Sequence, residues 1–189
     1  IYPPTGMVQF WVSTNSGWGI DKEEDHRVIY YPQLGEANPD AVATCEDRER
    51  DFWWPIKHEC ALEFTTLGRE IFAPNDSINH PLLEKWNQAY PEQAITSLFD
   101  LDVYDVEEIE EFTGSGDYSR LGGLPHFMQG DPRREEPENS DIRRRTVNLL
   151  TINSNIGVLW GDCGTANWVI APDRLAARDF SQVFYEWSC

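Results

Sequence analysis

The last third of the chain is a series of short apolar runs separated by turns, and this pattern constrains the fold more than any other feature. β-Branched and aromatic residues dominate four runs, which are residues 147–152, 156–160, 166–170 and 183–187. A glycine turn at residues 161–164 separates the second run from the third. Because strands that are joined by short turns pair antiparallel, the pattern predicts an antiparallel sheet.

The front and the middle of the chain add further elements of both kinds. The same composition predicts strands at residues 7–12, 27–31 and, as one or two pieces, 61–72. Three-and-four spacing of apolar residues and capping signals predict helices at residues 79–90, 105–112 and 172–177. The chain is therefore predicted to be a single α+β domain over residues 1–189, strand-rich, with mainly antiparallel sheets and two or three short helices.

Residues 131–145 interrupt this patterning with a run of charge. Ten of these residues are charged, and two prolines lie among them. Such a composition predicts a solvated surface loop rather than a strand or a helix.

Charge limits the classes of partner. The chain carries 33 Asp and Glu against 15 Lys and Arg, a formal net charge of −18. Such a surface repels phosphate backbones and anionic lipid, so we expect neither a nucleic acid nor a membrane as partner. A basic protein, a polyamine or a divalent cation would be attracted, although acidity can also serve solubility alone.

The chain also lacks targeting signals. No stretch approaches the ~18 apolar residues of a membrane span, and residues 1–4 have no features of a signal peptide. These observations predict a cytoplasmic protein. Its four cysteines are widely spaced and are expected to be reduced, with a Cys45–Cys60 disulfide as the alternative in an oxidising compartment.

Templates for metal and cofactor sites fail on inspection. Asp100 and Asp102 begin like a calcium loop, but the later ligand and glycine positions do not follow. Residues 114–116 lack the remaining glycine and the lysine of a phosphate loop. His58 and Cys60 could lie on one face of a strand, yet ordinary placement is the better interpretation. We therefore predict no metal and no cofactor.

A cluster of carboxylates provides the first candidate binding surface. Seven acidic residues and no basic residue occur in the twelve positions 100–111. A patch that attracts a cationic partner is the functional interpretation, and a solvated helix face is the alternative. The candidate binding residues here are Glu107, Glu110 and Glu111.

Two glycine-containing segments provide the second set of candidates. Residues 121–133 read Leu-Gly-Gly-Leu-Pro-His-Phe-Met-Gln-Gly-Asp-Pro-Arg, and residues 160–164 read Trp-Gly-Asp-Cys-Gly. Paired glycines and a proline specify a defined backbone, which either presents a binding surface or only turns the chain. The candidates for catalysis are His126, Asp131 and Asp162, and those for binding are Arg133 and Trp160.

These glycine segments also carry a family resemblance. Together with other short segments, and in the same order along the chain, they resemble the YwqG-like family of bacterial proteins. The segments that carry this resemblance are residues 6–11, 17–19, 28–30, 121–133, 148–154, 160–167, 179–181 and 185–189. The resemblance implies a β-rich α+β fold of two similar halves, with no assigned activity. It also implies that the family's usual first portion is absent before Ile1. Asn153 and Ser188 stand where the family more often has Asp, which argues against cation binding at these two positions.

Two hypotheses about function follow. The first is a non-enzymatic module that binds a basic protein, for example a toxin that it neutralises, with exposed Trp18, Trp53 and Trp54 as anchors. The second is a hydrolytic or metal-assisted enzyme, in which Asp131 or Asp162 acts as the base and His126 as the acid or as a ligand. Arg133 then holds an anionic group. The sequence predicts no oligomeric state.

Overall fold

The computed structural model describes residues 2–14, 17–36, 38, 54–56, 59–66, 81–96, 100–102, 107, 118–155 and 157–189. Strands and helices alternate irregularly in these residues, and the strands predominate. The strands are β1 (Met7–Val12), β2 (His26–Tyr31), β3 (Arg120–Leu121), β4 (Val147–Asn153), β5 (Thr165–Ile170) and β6 (Phe184–Ser188). The helices are α1 (Pro81–Ala89) and α2 (Pro172–Ala177). The predicted α+β class is confirmed.

The strands form two antiparallel sheets. β1 and β2 make a two-stranded hairpin, and the other four strands make a sheet in the order β3-β4-β5-β6. Each strand of the larger sheet pairs with the next one along the chain, as the short connections predict. Both helices begin with proline at their first position, where the missing N–H costs nothing.

The larger sheet has one apolar face and one polar face. On β5, Ala166, Trp168 and Ile170 belong to the apolar core, whereas Thr165 and Asn167 point to the opposite face. Every residue of β5 is nevertheless buried, so the polar face is covered as well. A covered polar face must satisfy its hydrogen bonds within the protein.

A bulge in β4 sets which of its residues reach the polar face. Asn148 pairs with Val169 and Leu150 with Trp168, so Leu149 is an extra residue between them. The insertion reverses the alternation, and Asn148 and Thr151 therefore lie on the same face. The Asn148 amide Nδ2 donates to the Thr151 hydroxyl at 3.1 Å.

The hairpin packs on the apolar face of the sheet. Phe10 meets Trp168 edge to face, with ring centroids 5.5 Å apart. Trp18 lies beyond β1, is 6% exposed and stacks on Trp187 at 4.4 Å. The prediction that Trp18 is an exposed anchor is therefore wrong. Trp54 is half-buried against the same core, and Trp53 lies outside the described residues.

The turn at residues 161–164 forms as predicted and requires glycine. The Gly164 amide donates to the Trp160 carbonyl at 2.7 Å, and Gly161 has a φ of +55°. A Cβ on Gly164 would lie 2.0 Å from the carbonyl oxygen of Ser188. Only glycine lets the turn approach the last strand this closely.

Three predictions about local structure are wrong over the residues that the structure describes. Residues 61–66 form no strand, and residues 67–72 lie outside the described part. Residues 157–160 form no strand either, because Gly157 has a φ of +98° and pairing is limited to single bridges at Val158. The charged segment 131–145 is not simply a solvated loop, since Asp131, Arg133 and Arg145 are buried.

The helix predicted at residues 105–112 lies almost entirely outside the described residues. Of the described helices, none is long and apolar enough to cross a lipid bilayer.

Candidate functional site

The polar face of the sheet is closed by the glycine-containing segment 121–133. The amide of His126 donates to Asn167 Oδ1 at 2.9 Å, and Asn167 Nδ2 donates back to the His126 carbonyl at 2.8 Å. The Thr151 hydroxyl also donates to Asn167 Oδ1, at 3.0 Å. Asn167 thus fixes the covering segment to the middle of the sheet.

The same segment ends in a buried ion pair. The Arg133 guanidinium donates to both carboxylate oxygens of Asp131, from Nε at 2.8 Å and from Nη2 at 2.9 Å. The Nη1 group donates to the Arg145 carbonyl at 2.7 Å, and the guanidinium lies 5.0 Å from the centre of the Phe127 ring. Both side chains of the pair are 0% exposed. Two parallel hydrogen bonds of this kind fix geometry as well as charge.

An open cleft of about 770 Å³ lies between this ion pair and the edge strand β6. We call it the acidic cleft. Carboxylates and apolar groups line it together, and the amide of Gln129 and the guanidinium of Arg134 contribute to its wall. Its lining residues are Ile20, Gln129, Gly130, Asp131, Pro132, Arg134, Glu135, Glu186, Trp187 and Ser188.

Glu186 is the most unusual group in the acidic cleft. It is 8% exposed, and burial raises the pKa of its carboxyl to about 7. The negative charge of Asp131 contributes to the rise, whereas the nearby Ser188 hydroxyl and the Asn167 amide oppose it. The Asn167 contact is long, at 3.4 Å. A carboxyl of this kind changes protonation near neutral pH.

We expect the raised pKa of Glu186 to make the protein less stable as the pH rises. A folded-state pKa of about 7 lies above the ordinary glutamate value of 4.5, so the folded state binds more protons between these pH values. Stability is therefore lost between about pH 4.5 and 7, in total by about 3 kcal/mol. Glu186→Gln should remove this loss and be more stable than the native protein above pH 7. Urea unfolding across this range, with the exposed Glu92→Gln as control, would contradict the account if both variants kept the native slope.

The structure places the residues predicted from sequence in three environments. His126, Asp131, Arg133 and Trp160 are buried, and Arg133 and Trp160 are only 0% and 1% exposed. Asp162 is exposed in the glycine turn, and it does not line the acidic cleft. Glu107 is exposed, whereas Glu110 and Glu111 lie outside the described residues.

These positions bear on each assigned role. Asp131 and Arg133 do come together, but as partners of each other, so the guanidinium has no exposed edge for an external anion. Trp160 packs in the core beside Trp18, at 6.3 Å between ring centroids, and has no surface for a partner. Arg133 and Trp160 thus have a structural role in the fold, and their assignment to binding, like the assignment of the catalytic candidates, stays a prediction.

Sequence reasoning missed Glu186 and Asn167. Both lie at alternate positions of strands whose intervening residues are apolar, a pattern that normally indicates a face turned to solvent. The sequence did contain one signal, because the polar positions of β4 and β5 are uncharged. They carry amides and hydroxyls, at Asn148, Thr151, Thr165 and Asn167. Amides and hydroxyls can satisfy one another when they are buried.

Metal ligands do not cluster in the part of the chain that the structure describes. No group of three or more His, Cys, Asp or Glu side chains there is arranged to hold an ion.

The fold and the cleft define a class: an α+β domain whose four-stranded sheet buries both an apolar and a polar face. Comparison with known families identifies the particular one. Residues 1–189 match the profile of the domain of unknown function DUF1963, and the protein belongs to this family. A search of curated proteins finds no match. The narrower resemblance to the YwqG-like family remains a prediction.

Proposed function

We propose that the protein is a cytoplasmic, non-enzymatic binding module for a basic protein, with neutralisation of a basic toxin as one form of this role. The observation that carries the proposal is the formal net charge of −18. Charge of this size steers a basic partner toward the surface and excludes nucleic acid as a competitor.

The described surface offers a place where charge and apolar area adjoin. At the end of the β1–β2 hairpin where the connecting loop lies, Trp11 is 48% exposed and Ile20 is 43% exposed. The same connecting loop carries the exposed acidic residues Asp21, Glu23 and Glu24. We call these five residues the hairpin tip. An aromatic anchor within a charged rim is the usual composition of a protein interface.

The hairpin tip and the acidic cleft adjoin. Ile20 belongs to both, because it lies in the loop that connects β1 to β2 and also lines the cleft. The indole Nε1 of Trp187, another cleft residue, donates to the Gly17 carbonyl at 2.9 Å. One partner could therefore contact both regions at once.

Capture from lysate tests the proposal. Immobilised native protein should retain basic proteins at low salt and retain less of them at about 0.15 M salt, where the Debye length is about 8 Å. Glu23→Lys combined with Glu24→Lys should reduce capture strongly. The matched charge reversal at Glu84 and Glu92, both exposed around α1, should reduce it less.

Two results would contradict the proposal. One is the absence of any retained basic protein at either salt concentration. The other is an equal loss of capture in both charge-reversal variants, which would show that only the overall charge is sensed and that no surface is specific.

A hydrolytic enzyme is the second candidate function, and Glu186 is the observation that favours it. A carboxyl with a pKa of about 7 in an open cleft suits a general acid or base at neutral pH. Any hydrolysis detected with a panel of ester and phosphoester substrates should then disappear in Glu186→Gln. Activity that survives this substitution would remove Glu186 from the mechanism.

A further inference from the structure

Glu186 is a buried carboxyl without a counter-ion of its own. It is 8% exposed, and it takes part in none of the ion pairs found among the described residues. The hydrogen bond that Asn167 Nδ2 donates to it is long, at 3.4 Å, and the other side-chain group that favours its charged form is the uncharged Ser188 hydroxyl. Buried carboxylates are normally paired, so this side chain lacks the partner that its burial calls for.

The surroundings of Glu186 show where a partner could enter. On the sheet side, Asn167 and the backbone of His126 close the polar face. On the other side Glu186 lines the acidic cleft, which is open to solvent. Among the residues that the structure describes, the cleft is therefore the route by which a cation can reach the carboxyl.

The other charged groups at the cleft do not supply this cation. Asp131 is already neutralised by Arg133, whose guanidinium is fully buried behind it. Arg134 and Glu135 are exposed on the rim and carry opposite charges. The neighbouring Tyr185 belongs to the apolar core on the opposite face of the sheet. Glu186 is thus the unneutralised charge that faces the cavity.

We propose that the acidic cleft receives one lysine or arginine side chain of the basic partner and that this side chain pairs with Glu186. The inference rests on the proposed function and names the contact that gives it specificity. The methylene groups of the entering side chain pack on Ile20 and Trp187, which line the same cleft. Its charged head meets Glu186 and the Ser188 hydroxyl.

A divalent cation fits this cavity less well. Calcium requires six to eight oxygen ligands, usually from several carboxylates. Asp131 is bound bidentately by Arg133, so the inner wall offers a single carboxylate from Glu186. One carboxylate matches a single ammonium or guanidinium group.

Entry of the cation is coupled to loss of a proton. At neutral pH part of the Glu186 population is protonated, and only the carboxylate forms the ion pair. Binding therefore releases this proton to the buffer. The groups that face Glu186 and shape this coupling are Asp131 with its partner Arg133, and Arg134 and Glu135 on the rim.

The test uses a hexa-arginine peptide as the probe at about 0.15 M salt. Its affinity for the native protein should rise as the pH increases from about 5.5 to about 8.5, since Glu186 becomes ionised. Glu186→Gln should abolish this rise and weaken binding at the upper pH about tenfold, the usual range for a hydrogen bond to a charged group. Glu92→Gln, which removes the same charge from an exposed position, should keep the rise. Calorimetry in phosphate and in Tris should show proton release by the native protein near pH 7 and none by Glu186→Gln.

The outcomes separate this inference from the proposed function. If the peptide binds and both variants behave alike, the cleft does not receive the cation, while the acidic surface still binds basic chains. If the peptide does not bind any of the three proteins even at low salt, the proposed function fails first. Comparable proton release by Glu186→Gln would also overturn the inference.

Discussion

Replacing Arg133 with methionine is expected to lower the free energy of unfolding by about 3–5 kcal/mol, although the residue lies in a segment that reads as a charged surface loop. Methionine fills much of the same space but leaves the Asp131 carboxylate buried without its bidentate partner. The Arg145 carbonyl loses its donor as well. A buried charge without a partner is among the costliest defects a fold can carry. Urea unfolding measures the effect.

The matched control is Arg144→Met. Arg144 also pairs with an aspartate, Asp173, at 2.8 Å, but the two side chains are 57% and 61% exposed. Solvent screens an exposed pair, so this substitution should leave stability within measurement error. Adding Asp131→Asn to Arg133→Met should recover part of the loss, because it removes the orphaned charge. A small effect of Arg133→Met would show that the pair is solvated and that the buried polar face is described wrongly.

Replacing Trp160 with alanine should also cost about 3–5 kcal/mol, the usual range for removing a buried aromatic side chain. Trp160 is 1% exposed and packs beside Trp18 and Trp187, with ring centroids 6.3 Å from each. The cavity would open where the glycine turn, the hairpin and β6 meet. Chemical unfolding followed by circular dichroism gives the loss without relying on the removed fluorophore.

Trp11→Ala is the control for this substitution. Trp11 is 48% exposed on the hairpin tip, so its loss should change stability little while it weakens capture of basic proteins. The two tryptophans therefore separate a structural role from a binding role. If Trp160→Ala left stability unchanged and weakened capture instead, the original assignment of Trp160 to binding would be correct.

Much of the strand pattern could be read from the sequence because it depends on local chemistry. The runs that became β1, β2, β4, β5 and β6 all combine β-branched and aromatic residues with nearby turn signals. The α2 helix could be predicted equally well, since Pro172 marks its first position. Neighbours in sequence also became neighbours in the sheet, which made the antiparallel arrangement predictable.

The covered polar face could not be predicted from the sequence in the same way. Alternation along β5 shows that two faces differ, but it does not show that residues 121–133 return to cover one of them. Arg133 looks like a surface residue among its charged neighbours until Asp131, two positions earlier, is seen to neutralise it. The bulge at Leu149 likewise depends on pairing with β5, and no pattern in the neighbouring sequence predicts it.

The candidate site depended on these long-range contacts. Glu186 is one of 33 acidic residues, and only the fold shows that it is buried and lines a cleft. The acidic composition predicts a basic partner, whereas the position of the proposed contact can be argued only from the fold.

The most direct test of this account is a carbon-13 NMR titration of the Glu186 carboxyl, with Glu186→Gln to assign the signal, in the absence and presence of the hexa-arginine peptide. The account predicts a midpoint near pH 7 for the free protein. Peptide should move the midpoint to lower pH, because a bound cation favours the carboxylate. A midpoint near the ordinary glutamate value of 4.5 that the peptide does not move would contradict both the buried carboxyl and its role in binding.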